Sequence, residues 1–162
     1  MAVPEILELL VSPIHRYEGR PADGPSPAPP GELVDKVVVR AGLGLVGDRY
    51  FGRAAHRDAA VTLIAAESLP AGVGLVQSRR NILVRGLDVD SLVGQVLTLD
   101  SGCGPVSFAV RRRANPCAWM DVVIGPGAFR ALRGKGGIRC APLTDGELHI
   151  GPVEVTTAEP ET

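Results

Sequence analysis

Apolar positions in this chain come in short runs. Several alternate with polar positions, and nearly every run is bounded by glycine or proline. Alternation with a period of two marks a half-buried strand, and runs this short leave little room for helices. The pattern predicts strands at residues 5–11, 33–41, 59–65, 79–84, 95–99, 106–113, 138–143, 147–150 and 153–157. Helical turns are expected at 66–69, 88–92, 117–123 and 129–132, the third with Asn115 as its cap and Pro116 at its first position. Residues 19–31, dense in proline and glycine, read as a loop. Residues 42–50 carry too much glycine for a regular element and read as a tight turn followed by a functional loop. Asp145-Gly146 signals a hairpin turn. No internal repeat is visible. Many short strands, glycine-rich connections and few helices predict a mainly β domain with short helices, its sheet closed like a barrel.

A length of 162 residues suits one domain, residues 1–162, with a sizeable core and a frayed tail at 158–162. Apolar residues make up 45% of the chain, which excludes wholesale disorder. The net charge of -1 argues against a general nucleic-acid-binding surface. No apolar run is long enough to cross a bilayer, and residues 1–15 carry Glu5 and Glu8 without the basic start of a signal peptide. The expectation is a cytoplasmic protein that binds neither membrane nor nucleic acid. Cys103, Cys117 and Cys140 form an odd set without a close pair, so reduced thiols account for them better than a zinc finger or an iron–sulfur cluster. His15, His56 and His149 are widely separated and belong to no recognisable ligand pattern.

Charge placement changes the picture more than net charge does. The basic residues are 15 arginines and 2 lysines. Residues 111–139 hold seven of them against one acid, Asp121. An anion is expected there, because the guanidinium fork suits phosphate. Cys117 follows directly, in Arg111-Arg112-Arg113-Ala114-Asn115-Pro116-Cys117. Positive charge and a helix start both favour the sulfur anion, which can carry sulfur, attack an electrophile or bind a soft metal. A small thiol filling a core is the equally weighted alternative. Strand alternation puts Arg111 and Arg113 on one face, as a phosphate clamp if inward or a hydrated rim if outward. Arg79 and Arg80 face opposite ways on a strand by the same rule, one toward a pocket and one solvated or bracing a carboxylate. Asn81 can donate and accept together, which suits the edge of a heterocycle. Lys135, Gly136, Gly137 and Arg139 form a second basic segment, where two glycines allow close backbone approach to an anion or simply make a flexible turn. The Gly42-x-Gly44-x-x-Gly47 spacing imitates a dinucleotide fingerprint, but no helix pattern follows it.

In order along the chain, these motifs resemble the MOSC domain, named for the C-terminal domain of molybdenum cofactor sulfurase. The residues that carry the resemblance are Ser12-Pro13, Gly44-Leu45-Val46-Gly47-Asp48-Arg49-Tyr50, Val61-Thr62-Leu63-Ile64 with Glu67, and Arg79-Arg80-Asn81-Ile82 with Gly86. They continue with Leu92-Val93-Gly94, Asn115-Pro116-Cys117, Gly136-Gly137-Ile138-Arg139 and Gly146-x-x-x-x-Gly151. The resemblance implies a barrel-like domain that binds a molybdenum–pterin cofactor or handles its sulfur, with Cys117 as metal ligand and catalytic residue. It completes a candidate cofactor-binding set of Arg49, Arg79, Arg80, Asn81, Arg111, Arg113, Asn115, Lys135 and Arg139. Reduction of N-hydroxylated bases then needs an external electron donor. A persulfide carrier needs a cysteine desulfurase-type sulfur donor, and a storage or delivery module needs neither. The chain departs from the family pattern at Gly151-Pro152 and in its proline-rich 19–31 segment.

Overall fold

The computed structural model describes residues 3–160, so Glu161 and Thr162 of the tail expected to fray lie outside the described residues. Within the described residues, twelve strands and three short α-helices follow one another. β1 (Glu5–Leu10), β2 (Leu33–Val34), β3 (Lys36–Arg40), β4 (Gly44–Leu45) and β5 (Val61–Ala65) precede α1 (Leu75–Ser78). β6 (Ile82–Arg85), β7 (Val96–Asp100) and β8 (Pro105–Arg113) lead to α2 (Trp119–Val123) and α3 (Ala128–Ala131). β9 (Ile138–Pro142), β10 (Gly146–His149), β11 (Gly151–Pro152) and β12 (Glu154–Ala158) close the chain.

Nine strands form one sheet in the order β11-β1-β6-β5-β9-β8-β7-β12, with β2 added against β1. All its ladders are antiparallel except β5–β6. A separate sheet holds β10-β3-β4. The mainly β content agrees with the apolar pattern, but the expected closed barrel does not form. β11 and β12 stand at opposite ends of the large sheet and share no ladder, although only Val153 separates them in sequence. β11 is two residues long and its Pro152 has no N–H to donate, so it cannot extend the pairing.

Two apolar clusters lie on the two faces of the central strands. Val61, Leu63 and Ala65 of β5 with Ile82 and Val84 of β6 join the larger one, and Ile64 and Leu83 join the smaller. That division is strand alternation, as the sequence pattern requires. A register shift in β1 between Ile6 and Glu8 lets both Ile6 and Leu9 reach the larger core. Val37, Val39, Leu45 and Leu148 from the small sheet pack there beside Phe108, Leu97 and Leu99. Each such side chain contributes about 1.5–3 kcal/mol by leaving water.

α1, which the apolar pattern does not announce, is held by one long-range and one local cap. The Leu75 amide donates to Glu8 Oε1 at 2.9 Å and the Gly74 amide donates to Gln77 Oε1 at 2.9 Å. α2 starts at Trp119, with Ala118 rather than Asn115 at its N-cap. Cys117 therefore precedes the helix, and its carbonyl accepts from the Met120 amide at 2.9 Å.

Candidate functional site

Strand pairing gathers the site at one end of the large sheet. β1 runs antiparallel to β6, β6 parallel to β5, and β5 antiparallel to β9. The segment after β1, the start of β6, Thr62 of β5 and Arg139 of β9 consequently meet. The Asn115–Met120 stretch after β8 forms the facing wall. Between them is a cleft of about 230 Å³ that Cys117 lines, together with Arg16, Arg49, Arg79, Arg80 and Arg139. No carboxylate lines it among the described residues.

The arginines are held from behind. Arg79 is buried and bonds Glu32, also buried, with Nη1 to Oε1 at 2.6 Å. It takes a left-handed backbone conformation, φ 59°, at the C-cap of α1. That reverses the chain, so the alternation expected of a strand does not apply, and Arg79 and Arg80 both turn inward to the same cleft. β6 begins only at Ile82. Arg80 donates to three carbonyls: Gly136 at 2.9 Å, Ser78 at 3.3 Å and Asn115 at 3.3 Å. Burial first, and Arg139 second, lower its pKa to about 10, while the Cys117 sulfur acts the other way. Arg80 thus ties the α1–β6 turn to the segment that carries Cys117 and stays cationic at neutral pH. Arg49 donates to Asp48 Oδ1 at 3.3 Å and to the Arg79 carbonyl at 3.3 Å. Asp48 in turn accepts from the Ser12 amide at 3.1 Å.

Three further expectations take a different form. Asn81 spends its amide inside the sheet: Oδ1 accepts from the Thr62 amide at 2.9 Å and hydroxyl at 3.1 Å, and Nδ2 donates to the Leu10 carbonyl at 3.1 Å. It supports the floor of the cleft and does not line it. A bulge between Val110 and Arg112 breaks the β8 alternation, so Arg111 and Arg113 are not a matched pair. Arg112 sits opposite Arg139, and Arg112 and Arg113 line an outer basin with Tyr50, His56 and Asn115. Arg111 is exposed, 4.0 Å from Asp58. Lys135 lies in a different groove with Glu67, Asp88 and Asp90.

The two glycines of the second basic segment are set by chain packing. A Cβ on Gly136 would stand 2.3 Å from the Ala114 carbonyl, and one on Gly137, φ 95°, 2.1 Å from the Leu63 carbonyl. The Gly137 amide donates to Asp90 Oδ1 at 3.0 Å. Burial of Asp90 raises its pKa, an effect this bond counteracts.

Aromatic side chains complete the walls, Tyr17 and Trp119 among them not singled out by the sequence reading. Tyr17 stacks on Trp119 with centroids 5.2 Å apart and an interplanar angle of 13°. Its hydroxyl donates to the Gln77 carbonyl, and burial raises its pKa to about 12. His15 and Tyr50 meet edge to face at 5.4 Å, and the Arg49 guanidinium lies 4.6 Å from the Tyr50 ring centroid. Burial and then Arg49 lower the pKa of His15, which leaves a neutral imidazole at the mouth at neutral pH. Only Tyr50 falls in a motif of the sequence; the loops after β1 and β4 and the start of α2 bring these residues together.

Four buried polar atoms have no hydrogen-bond partner among the described residues: Ser78 Oγ and Arg79 Nη2 of residues that line the cleft, and Glu32 Oε2 and Asp48 Oδ2 behind it. Buried donors normally find partners, so Ser78 Oγ and Arg79 Nη2 suit an added anion. Of the three cysteines, Cys140 is in the core, where burial pushes its thiol pKa up, and Cys103 is exposed in the β7–β8 turn. Cys117 is half-buried at the cleft wall.

No protein-family model and no curated protein matches the chain. Solved structures do. The YuaD protein from Bacillus subtilis superposes with a TM-score of 0.73 at 15% identity, over 98% of this chain and 98% of that one. The chain shares its fold. YiiM from Escherichia coli gives a TM-score of 0.56 at 16% identity, over 98% of this chain and 72% of that chain. A hypothetical protein gives 0.58 at 16% identity, over 95% of this chain and 68% of that chain.

Proposed function

We propose that the arginine cleft binds an anionic metal–pterin group of the molybdenum-cofactor type, with the Cys117 sulfur as the protein's ligand to the metal. One observation carries this reading: among the described residues, a half-buried thiol shares a cleft with five guanidinium groups and no carboxylate. The motif resemblance to the MOSC domain and the fold shared with YuaD support it. The donor set suits such a group. Thiolate is a soft ligand, arginine forks bind phosphate or other oxyanions, and Ser78 Oγ and Arg79 Nη2 are buried and unpaired. A volume of about 230 Å³ suits the anionic part of a cofactor whose remainder faces outward.

Bound there, the group supplies two-electron redox chemistry at its metal, for N-hydroxylated bases or related substrates and with electrons from an external donor. The protein's own part is electrostatic and positional. Among the described residues no carboxylate pairs with Arg80 or Arg139, whereas Arg79 and Arg49 are partly neutralised by Glu32 and Asp48. Arg80 also fixes the Asn115 carbonyl two residues before the thiol. Tyr17 remains protonated against Trp119, and His15 holds a proton-accepting nitrogen at the mouth.

A sulfur-carrier reading is favoured by the half-exposed, unbridged state of Cys117. One experiment separates the two. The chain and its Cys117→Ser variant are purified anaerobically from a host that makes molybdenum cofactor, then assayed for metal and released pterin. Near-stoichiometric molybdenum and pterin that fall away in the variant support ligation. An empty wild type beside a loaded control protein refutes it. A sulfur adduct on Cys117, detected by intact mass after incubation with a desulfurase, then supports the carrier.

A further inference from the structure

On the small sheet, the fold assembles a second set of donors that no sequence spacing announces. Glu147 and His149 are two residues apart in β10 and so project from the same face of the strand. Cys103 lies in the β7–β8 turn, 44 residues before Glu147 in the chain. One ligand atom from each, the Cys103 sulfur, a Glu147 carboxylate oxygen and a His149 ring nitrogen, all lie within 4.8 Å of one another. The two elements are braced together nearby. The His149 amide donates to Ser101 Oγ at 2.9 Å, so the strand end is tied to the turn that carries the cysteine. Gly146 approaches β8 so closely that a Cβ would stand 2.7 Å from Val106 Cγ2.

We propose that Cys103, Glu147 and His149 form a three-ligand site for a borderline divalent cation, zinc above all, separate from the Cys117 cleft. The donor chemistry fits: thiolate, imidazole and carboxylate are the usual protein ligands of zinc. The geometry is close to that of a bound ion. Two ligands about 2.0–2.1 Å from zinc at the tetrahedral angle stand about 3.3 Å apart, and Glu147 Oε2 and His149 Nε2 are 3.3 Å apart. A sulfur about 2.3 Å from the metal stands about 3.5 Å from either. The Cys103 sulfur lies within 4.8 Å of both, so it needs to move inward by at most about 1.3 Å to reach that spacing, a side-chain rotation open to an exposed residue. The ion would cross-link the β7–β8 turn to β10 and keep one position toward solvent for water or a small anionic ligand.

The test uses the full chain carrying Cys117→Ser, so that the other accessible thiol is removed. Cobalt(II) chloride is titrated anaerobically and absorption is followed. The expected result is one equivalent bound, with a thiolate-to-cobalt charge-transfer band that zinc displaces. Adding Cys103→Ser should abolish the band, and Glu147→Gln or His149→Ala should weaken binding at least tenfold. All three residues are at least partly exposed, and circular dichroism checks that the variants fold. Failure of cobalt to bind overturns the proposal. So does a band that survives Cys103→Ser, or unchanged affinity in His149→Ala, which would leave the Glu147–His149 contact as a simple ion pair.

Discussion

Replacing Glu32 by Gln removes the counter-charge of Arg79 while keeping the side chain's shape. Both side chains are buried, 4% exposed for Glu32 and 5% for Arg79, and they meet at 2.6 Å. Neither is fully satisfied: Glu32 Oε2 and Arg79 Nη2 have no partner among the described residues. The variant therefore leaves a guanidinium at low dielectric with a neutral neighbour. Breaking one side of a buried ion pair costs about 3–5 kcal/mol. At about 2–4 °C per kcal/mol for a domain of this size, Glu32→Gln should melt roughly 6–20 °C below the wild type. Most of that loss belongs to the uncompensated charge, not to missing contacts. Glu32→Leu combined with Arg79→Met should consequently be more stable than Glu32→Gln alone, with a coupling that a double-mutant cycle measures. Because Arg79 also faces the cleft, inorganic phosphate should raise the melting temperature of Glu32→Gln more than that of the wild type. Urea and thermal unfolding at fixed pH, with and without phosphate, supply all these numbers. A Glu32→Gln protein within 1 kcal/mol of the wild type would falsify the account, as would a double variant less stable than the single.

Gly137→Ala should destabilise by about 2–4 kcal/mol, since it forces both a left-handed backbone and a backbone clash; the added Cβ falls 2.1 Å from the Leu63 carbonyl. Chemical denaturation checks this, and a loss below 1 kcal/mol would mean that β5 yields at that point. Tyr17 sets a pH dependence. Its folded pKa, raised by burial from 10.0 to about 12, lies above the unfolded value. The corresponding stability is fully present below pH 10 and is lost as the pH rises through about 12. Melting temperatures measured from pH 9 to 12 should therefore fall more steeply for the wild type than for Tyr17→Phe, and parallel curves would contradict the burial of that hydroxyl.

Much of the fold is legible because it is local. Alternating apolar residues and the glycines or prolines that bound them place most strands within two residues of their observed ends, and the short helical pieces at 128–131 and 89–92 follow the same logic. α1 is not legible, because its caps come from Glu8, far away in the chain, as well as from its own Gln77. The closed barrel is the larger error. Strand patterns count strands, but the pairing of the last edge depends on β11, which pairs β1 on one side and is too short and too proline-bound to carry a second ladder to β12.

The chemistry divides along the same line. Residue types and their clustering in the sequence place a thiol beside many arginines, a combination suited to an anion. Which of them converge is decided by tertiary pairing. The left-handed turn at Arg79 points two neighbouring arginines into one cleft, the bulge at β8 sends Arg111 outward, and Asn81 is consumed by Thr62 and Leu10. Cys103, Glu147 and His149 are brought together across 46 residues only when β10 lies beside the β7–β8 turn. Side-chain type is a property of one position and is written in the chain. Convergence is a property of distances between positions, and these are set by sheet register, by bulges and by backbone conformations that depend on neighbours remote in sequence.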